Sequence, residues 1–65
     1  MKKANIVKII EAMEESARII ANDNNVSERI KLRNEGYASA YATILLLLTN
    51  DKYAKEVAEI YEVEI

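Results

Sequence analysis

Four chemically capable side chains form a row in the middle of the sequence, each four positions after the last. The row contains two arginines followed by two tyrosines: Arg29, Arg33, Tyr37 and Tyr41. Residues four apart lie on nearly the same side of a helix, so this spacing predicts a continuous strip. Guanidinium groups bind phosphate oxygens, and tyrosine rings stack on flat bases. The strip therefore predicts a site for a small anionic nucleotide, most favourably where two subunits meet.

The same row has a purely structural interpretation, which the sequence leaves open. In that case the arginines are solvated, and the tyrosine rings pack against neighbours with their hydroxyl groups at the rim. Tyr53 and Tyr61 are expected to lie in the core or at an interface and not to hold a ligand.

The chain offers little material for catalysis or for binding metal. It contains no histidine and no cysteine, which removes imidazole chemistry, thiol chemistry and nearly all zinc sites. Glu11, Glu14 and Glu15 have a spacing that could pair carboxylates, but we expect them on a solvated face away from the apolar stripe. No glycine-rich phosphate loop or activated nucleophile is present. We therefore expect no enzymatic activity, no metal site and no cofactor.

Composition predicts a single all-α domain covering residues 1–65. The chain has 65 residues, of which 51% are hydrophobic and 31% charged, a globular composition. One glycine and no proline leave too few turn signals for a many-stranded sheet. The formal net charge of -2 argues against a DNA or RNA partner, which selects for basic surfaces.

Hydrophobic periodicity and polar punctuation predict three helices with a long central one. They run over about 3–21, 26–48 and 51–61, with a tail at 62–65 that we expect to fray or extend. The four polar residues from Asn22 to Asn25 predict the first loop. Asn25 and Glu28 have capping-box spacing for the second helix, and Thr49 or Asn50 can cap the third. The alternative is a central helix broken near 34–36, because Gly36 disfavours helix and marks a kink or a close contact.

The leucine-rich end of the central helix predicts self-association. Residues 44–48 are apolar on every side of a helix, and two shorter helices cannot cover them completely. Helix one adds a second apolar row containing Ile9, Ala12 and Ile19. We therefore expect a homo-oligomeric helical bundle. The alternative is a monomer in which the small residues between 36 and 43 simply accommodate helix one.

Neither a secretion signal nor a membrane span is expected. The lysines after Met1 are followed by charged residues and not by a long apolar run. The most lipid-like stretch, 37–48, has about twelve residues, whereas a span needs about twenty. The expected location is therefore the cytoplasm.

The passage Gly36-Tyr37-Ala38-Ser39-Ala40-Tyr41, followed by the leucine run, gives the chain its most distinctive character. In size and character the chain resembles small helical counter-defence proteins of bacteriophages. The resemblance implies an oligomer that sequesters a cyclic nucleotide signal, or an inhibitor that blocks a host protein directly. A protein–protein inhibitor or adaptor is thus the second functional hypothesis, supported also by surplus apolar surface and an acidic last helix. A third interpretation is a structural assembly without ligand.

Overall fold

Three α-helices form the part of the chain that the computed structural model describes, residues 1–64. Helix α1 spans Lys3–Ala21, α2 spans Glu28–Thr49 and α3 spans Asp51–Ile60, with no strand among these residues. The prediction of an all-α chain with three helices and a long central one is confirmed. Ile65, the last residue of the predicted tail, lies outside the described residues.

Ser27, and not Asn25, caps the second helix, so α2 begins two residues later than predicted. The Ser27 hydroxyl accepts a hydrogen bond from the Ile30 backbone N–H at 3.3 Å. Asn25 instead lies in a turn, where its N–H donates to the Asp23 carboxylate at 2.8 Å. Because Asn25 is held in this turn and the Ser27 hydroxyl caps the helix, the predicted capping box of Asn25 with Glu28 is wrong.

Helix α2 is continuous through Gly36, which excludes the alternative of two shorter helices. A Cβ atom placed on Gly36 would meet no heavy atom within 4 Å among the described residues. Gly36 therefore marks neither a break nor a close contact within the protomer. It faces open space on the middle of a 22-residue helix.

The hairpin of α1 and α2 is held by a narrow row of α1. Ala17 and Ala21 are the buried apolar residues of the described chain, and Val7, Ile10 and Glu14 are half-buried beside them. These five positions are spaced three and four apart, so they form one side of the helix facing α2. The expectation that Glu14 faces away from the apolar stripe is wrong. Glu14 lies between Ile10 and Ala17 on the side of α1 that faces α2. Its carboxylate pairs with Arg18.

Helix α3 leaves the hairpin and packs on α2 alone. Asn50 is the single linking residue, and its side chain accepts a hydrogen bond from the Tyr53 N–H at 3.0 Å, capping α3. No Cα atom of α3 lies within 8 Å of one in α1. The radius of gyration is 14.2 Å, whereas a compact domain of this length has about 11 Å. The molecule is therefore elongated and has little enclosed core.

The chain after α3 turns back instead of fraying. The Val63 N–H donates to the Ala58 carbonyl oxygen at 2.9 Å, and the Glu62 N–H donates to that of Glu59 at 3.2 Å. These two bonds define a Schellman motif, with Glu62 in the left-handed conformation at φ 57°. The predicted frayed or extended tail, 62–65, is therefore corrected for Glu62 and Val63, because carbonyl groups at the helix end find partners in this turn.

Candidate functional site

An open groove runs between α1 and α2 on one side of the hairpin. Its volume is about 450 Å³, within the range of small-molecule sites. We call it the hairpin groove. It is lined by Ile9, Ala12, Met13, Ser16, Ala17, Ile20, Asn34, Tyr37 and Tyr41. The lining is mainly apolar, and its polar atoms come from a serine, an asparagine and two phenols.

Both tyrosines of the predicted site line this groove. Tyr41 is half-buried against α1, whereas Tyr37 is 47% exposed and lies one turn earlier at the rim. The drift of a helical row by about 40° for every four residues explains the difference. The structure thus brings Tyr37 and Tyr41 together with apolar side chains of α1.

The two arginines of the predicted site lie outside the groove. Arg33 and Arg29 are both exposed and are not among the lining residues. The same helical drift places Arg29 about 120° around α2 from Tyr41, on the far side of the helix. Within one protomer the four residues therefore do not form one pocket. Arg33, one turn before Tyr37, is the cation nearest in register to the groove.

Within residues 1–64, neither arginine of the predicted site is neutralised by an ion pair. Among residues 1–64 the ion pair within 4.0 Å joins Arg18 to Glu14 on α1, and Arg18 remains largely exposed. Arg29 and Arg33 have no carboxylate at this distance in the same part of the chain. Their guanidinium groups are thus available to an anion from outside the protomer.

The sequence contained a signal for the groove residues that the four-residue row missed. Met13, Ser16 and Asn34 line the groove together with the tyrosines. They belong to rows spaced alternately three and four apart, the pattern of a heptad repeat. Residues separated by steps of four alone form a row that drifts around the helix, whereas residues separated by alternating steps of three and four stay on one side.

A second apolar groove lies at the other end of the molecule. It has a volume of about 500 Å³, and we call it the α3 groove. It is lined by Leu47, Ala54, Val57, Ala58, Tyr61 and Val63. Tyr61 is 73% exposed, so much of this lining faces open space. The flanks of α3 and its following turn carry four acidic residues and two lysines.

Residues 1–64 contain neither a metal-binding cluster nor a membrane-spanning helix. No group of three or more acidic, histidine or cysteine side chains is arranged to hold a metal ion there. No described helix combines the length and the apolar character needed to cross a membrane.

No protein-family model, curated protein or solved structure matches this chain.

Proposed function

We propose that this chain is a non-enzymatic, homo-oligomeric binding protein that holds a small planar anion of the nucleotide class at a subunit interface. The observation that carries the proposal is the shared position of Tyr37 and Tyr41 in the hairpin groove. Two neighbouring phenol rings beside apolar side chains provide a stacking surface for a flat base. We propose that the protein acts in the cytoplasm.

The anionic end of such a ligand would be bound by arginine at the groove rim. Arg33 precedes Tyr37 by one turn, and its guanidinium has no ion pair within residues 1–64. Arg29 lies farther around α2, so a second subunit is needed to bring it to the same ligand. The proposal therefore requires a site shared between protomers. It agrees with the cyclic nucleotide that the resemblance to phage counter-defence proteins implies.

A thermal-shift series tests the ligand. The protein is heated with a cyclic mononucleotide, a cyclic dinucleotide, ATP or inorganic phosphate, each at several concentrations. A ligand at 100 times its Kd stabilises the native state by about 2.7 kcal/mol, so binding raises Tm progressively. Unchanged melting curves with all nucleotides would contradict the proposed ligand class. A Tm shift with phosphate alone would show that the site binds the anionic group and would contradict stacking of a base on the tyrosines.

Paired variants test the assigned residues. The double substitution Arg33→Ala with Tyr37→Ala removes a cation and a phenol ring at the proposed site. The matched control, Lys55→Ala with Tyr61→Ala, removes the same two kinds of group on and just after α3, outside the hairpin groove. We expect the first variant to lose the nucleotide shift and the control to keep it.

The second candidate function is inhibition or adaptation of a host protein, and the α3 groove favours it. Val57 and Tyr61 lie on an apolar side of α3 that no residue of α1 covers. The acidic flanks of this helix complement a basic protein surface. A stoichiometric host partner that is captured by the wild type and lost with Val57→Lys would favour this function. Capture that is unaffected by Val57→Lys would argue against it.

A further inference from the structure

We infer that the open side of the α1–α2 hairpin is the interface of a two-fold symmetric dimer, occupied by the same side of a second copy. This inference deepens the self-association in the proposed function and requires no nucleotide. It assigns a surface, a partner and a symmetry. The hairpin groove lies at the centre of that surface.

Two heptad rows run along the open side, one on each helix of the hairpin. On α1 the row contains Ile6, Ile9, Met13, Ser16 and Ile20. On α2 it contains Ile30, Asn34, Tyr37, Tyr41, Ile44 and Leu48. Steps of three and four alternate throughout both rows, which is the spacing of helices that pack in bundles. We call the two rows together the seam.

On α1 the seam is distinct from the contact that holds the hairpin together, whereas on α2 its residues Asn34, Tyr41 and Leu48 are already half-buried in the protomer. The protomer's own helix contact uses the neighbouring α1 row that contains Ala17 and Ala21, whereas most large seam residues remain substantially exposed. Ile9 is 48% exposed on α1, and Ile30 is 43% exposed on α2. The α1 row and the exposed half of the α2 row therefore have the pattern of a helix-packing surface that residues 1–64 leave uncovered.

Charge is absent from the seam although it is common elsewhere. Charged residues make up 31% of the chain, yet none occupies any position of the two rows. A solvated face would carry lysine and glutamate at this frequency, whereas the cores of subunit interfaces are depleted in charge and enriched in tyrosine and methionine. The composition of the seam thus indicates burial in an assembly.

The exposed area of the protomer is large enough for such an interface. The accessible surface is 5308 Å², whereas a compact monomer of 7.4 kDa exposes about 4,200 Å². The excess of about 1,100 Å² exceeds the roughly 800 Å² that each partner buries in a standard interface. The protomer as a whole, α3 included, therefore has enough surplus surface for a standard interface.

One polar layer in the seam, near the loop that joins α1 to α2, explains how a single register would be selected. Ser16 and Asn34 both line the hairpin groove. The Asn34 side-chain amide donates to the Ile30 carbonyl oxygen at 2.9 Å, and its own oxygen accepts no hydrogen bond from residues 1–64. In coiled coils, a single asparagine at a core position fixes register and subunit number. Asn34 of a second copy would supply the missing donor.

Sedimentation equilibrium without nucleotide tests the inference with two matched pairs of variants. Ile30→Lys and Ile44→Lys place a charge in the seam. Leu32→Lys and Leu46→Lys place the same charge two residues later, about 200° around the same helix. All four native side chains are at least 39% exposed in the protomer, so each lysine can remain solvated without disturbing the hairpin.

We expect a wild-type dimer that the seam variants convert to monomer. Two-fold symmetry introduces each lysine twice, so the dimer Kd should rise at least about 100-fold for the seam variants. The two control variants should remain dimeric. A monomeric or higher-order wild type, or a dimer unaffected by both seam variants, would overturn the inference. Flat nucleotide melting curves would leave it intact and would contradict only the ligand.

A measurement on the unmodified chain covers the case in which a lysine variant fails to fold. A soluble paramagnetic probe broadens NMR signals of solvent-exposed methyl groups. As protein concentration rises, the methyl groups of Ile9, Ile30 and Ile44 should become protected from the probe, whereas those of Leu32 should not. Equal exposure of all these methyl groups at every concentration would reject the seam as an interface.

Discussion

The backbone N–H of Val63 donates to the carbonyl oxygen of Ala58 at 2.9 Å, which returns the chain after α3 to the apolar side of that helix. Both residues line the α3 groove. The turn depends on Glu62, which adopts a left-handed backbone conformation at φ 57°. Glycine is the usual residue in this position because a Cβ atom makes the conformation unfavourable.

Replacing Glu62 by glycine should therefore stabilise the end of α3. The left-handed conformation costs a residue with a Cβ about 1 kcal/mol, and glycine avoids this cost. Amide hydrogen exchange of Val63 should slow about five-fold in Glu62→Gly. The control Glu64→Gly lies beyond the turn and should leave this exchange rate unchanged. Faster exchange in Glu62→Gly would show that the turn does not form.

Ser27 and Asn25 allow a direct comparison of the observed cap with the predicted one. The Ser27 hydroxyl binds the Ile30 N–H, and Asn25 makes its described hydrogen bond through its backbone. Ser27→Ala should lower the free energy of unfolding by about 1 kcal/mol, whereas Asn25→Ala should change it much less. Urea denaturation at one fixed protein concentration measures both. A larger loss of unfolding free energy for Asn25→Ala would show that Asn25 caps the helix and that α2 begins at Val26, as predicted.

Gly36→Ala should stabilise the protein by about 1 kcal/mol, because alanine favours helix more than glycine and no neighbour obstructs its methyl group. The reverse change on the same exposed side, Ala40→Gly, should destabilise by a similar amount. Thermal denaturation at constant concentration measures both. Gly36 lies outside the seam, so the dimer Kd should not change. A weakened dimer in Gly36→Ala would place the subunit contact at this glycine instead.

Glu14→Leu should stabilise the hairpin. Glu14 lies in the α1 row that faces α2, with only 18% of its side chain exposed. Leucine would bury additional apolar surface there and would lose only the ion pair to a largely exposed Arg18, for a net gain of about 1 kcal/mol. The control Glu15→Leu, on an exposed side of α1, should give no comparable gain. Urea denaturation of both variants measures the difference.

Local sequence determined where the helices form, because helix propensity, side-chain capping and turn preference act over a few residues. Asn50 was one of two predicted caps for α3, and it binds the Tyr53 N–H as expected. The start of α2 was misplaced because Asn25 and Ser27 are both good caps, and their choice depends on the loop needed to reverse the chain. The Glu62 turn could not be predicted, because glutamate has no preference for a left-handed conformation.

The tertiary structure decided which side of each helix is covered. Neighbouring rows of α1 are both apolar, so periodicity alone could not say that Ala17 and Ala21 face α2 while Ile9 and Met13 line an open groove. The same rotation separated Arg29 from Tyr41 and left a strip of four residues divided between two sides of α2. Sequence determines helices through contacts between near neighbours in the chain. Which side of each helix is covered depends on how whole helices dock, because docking is set by contacts between residues distant in the chain.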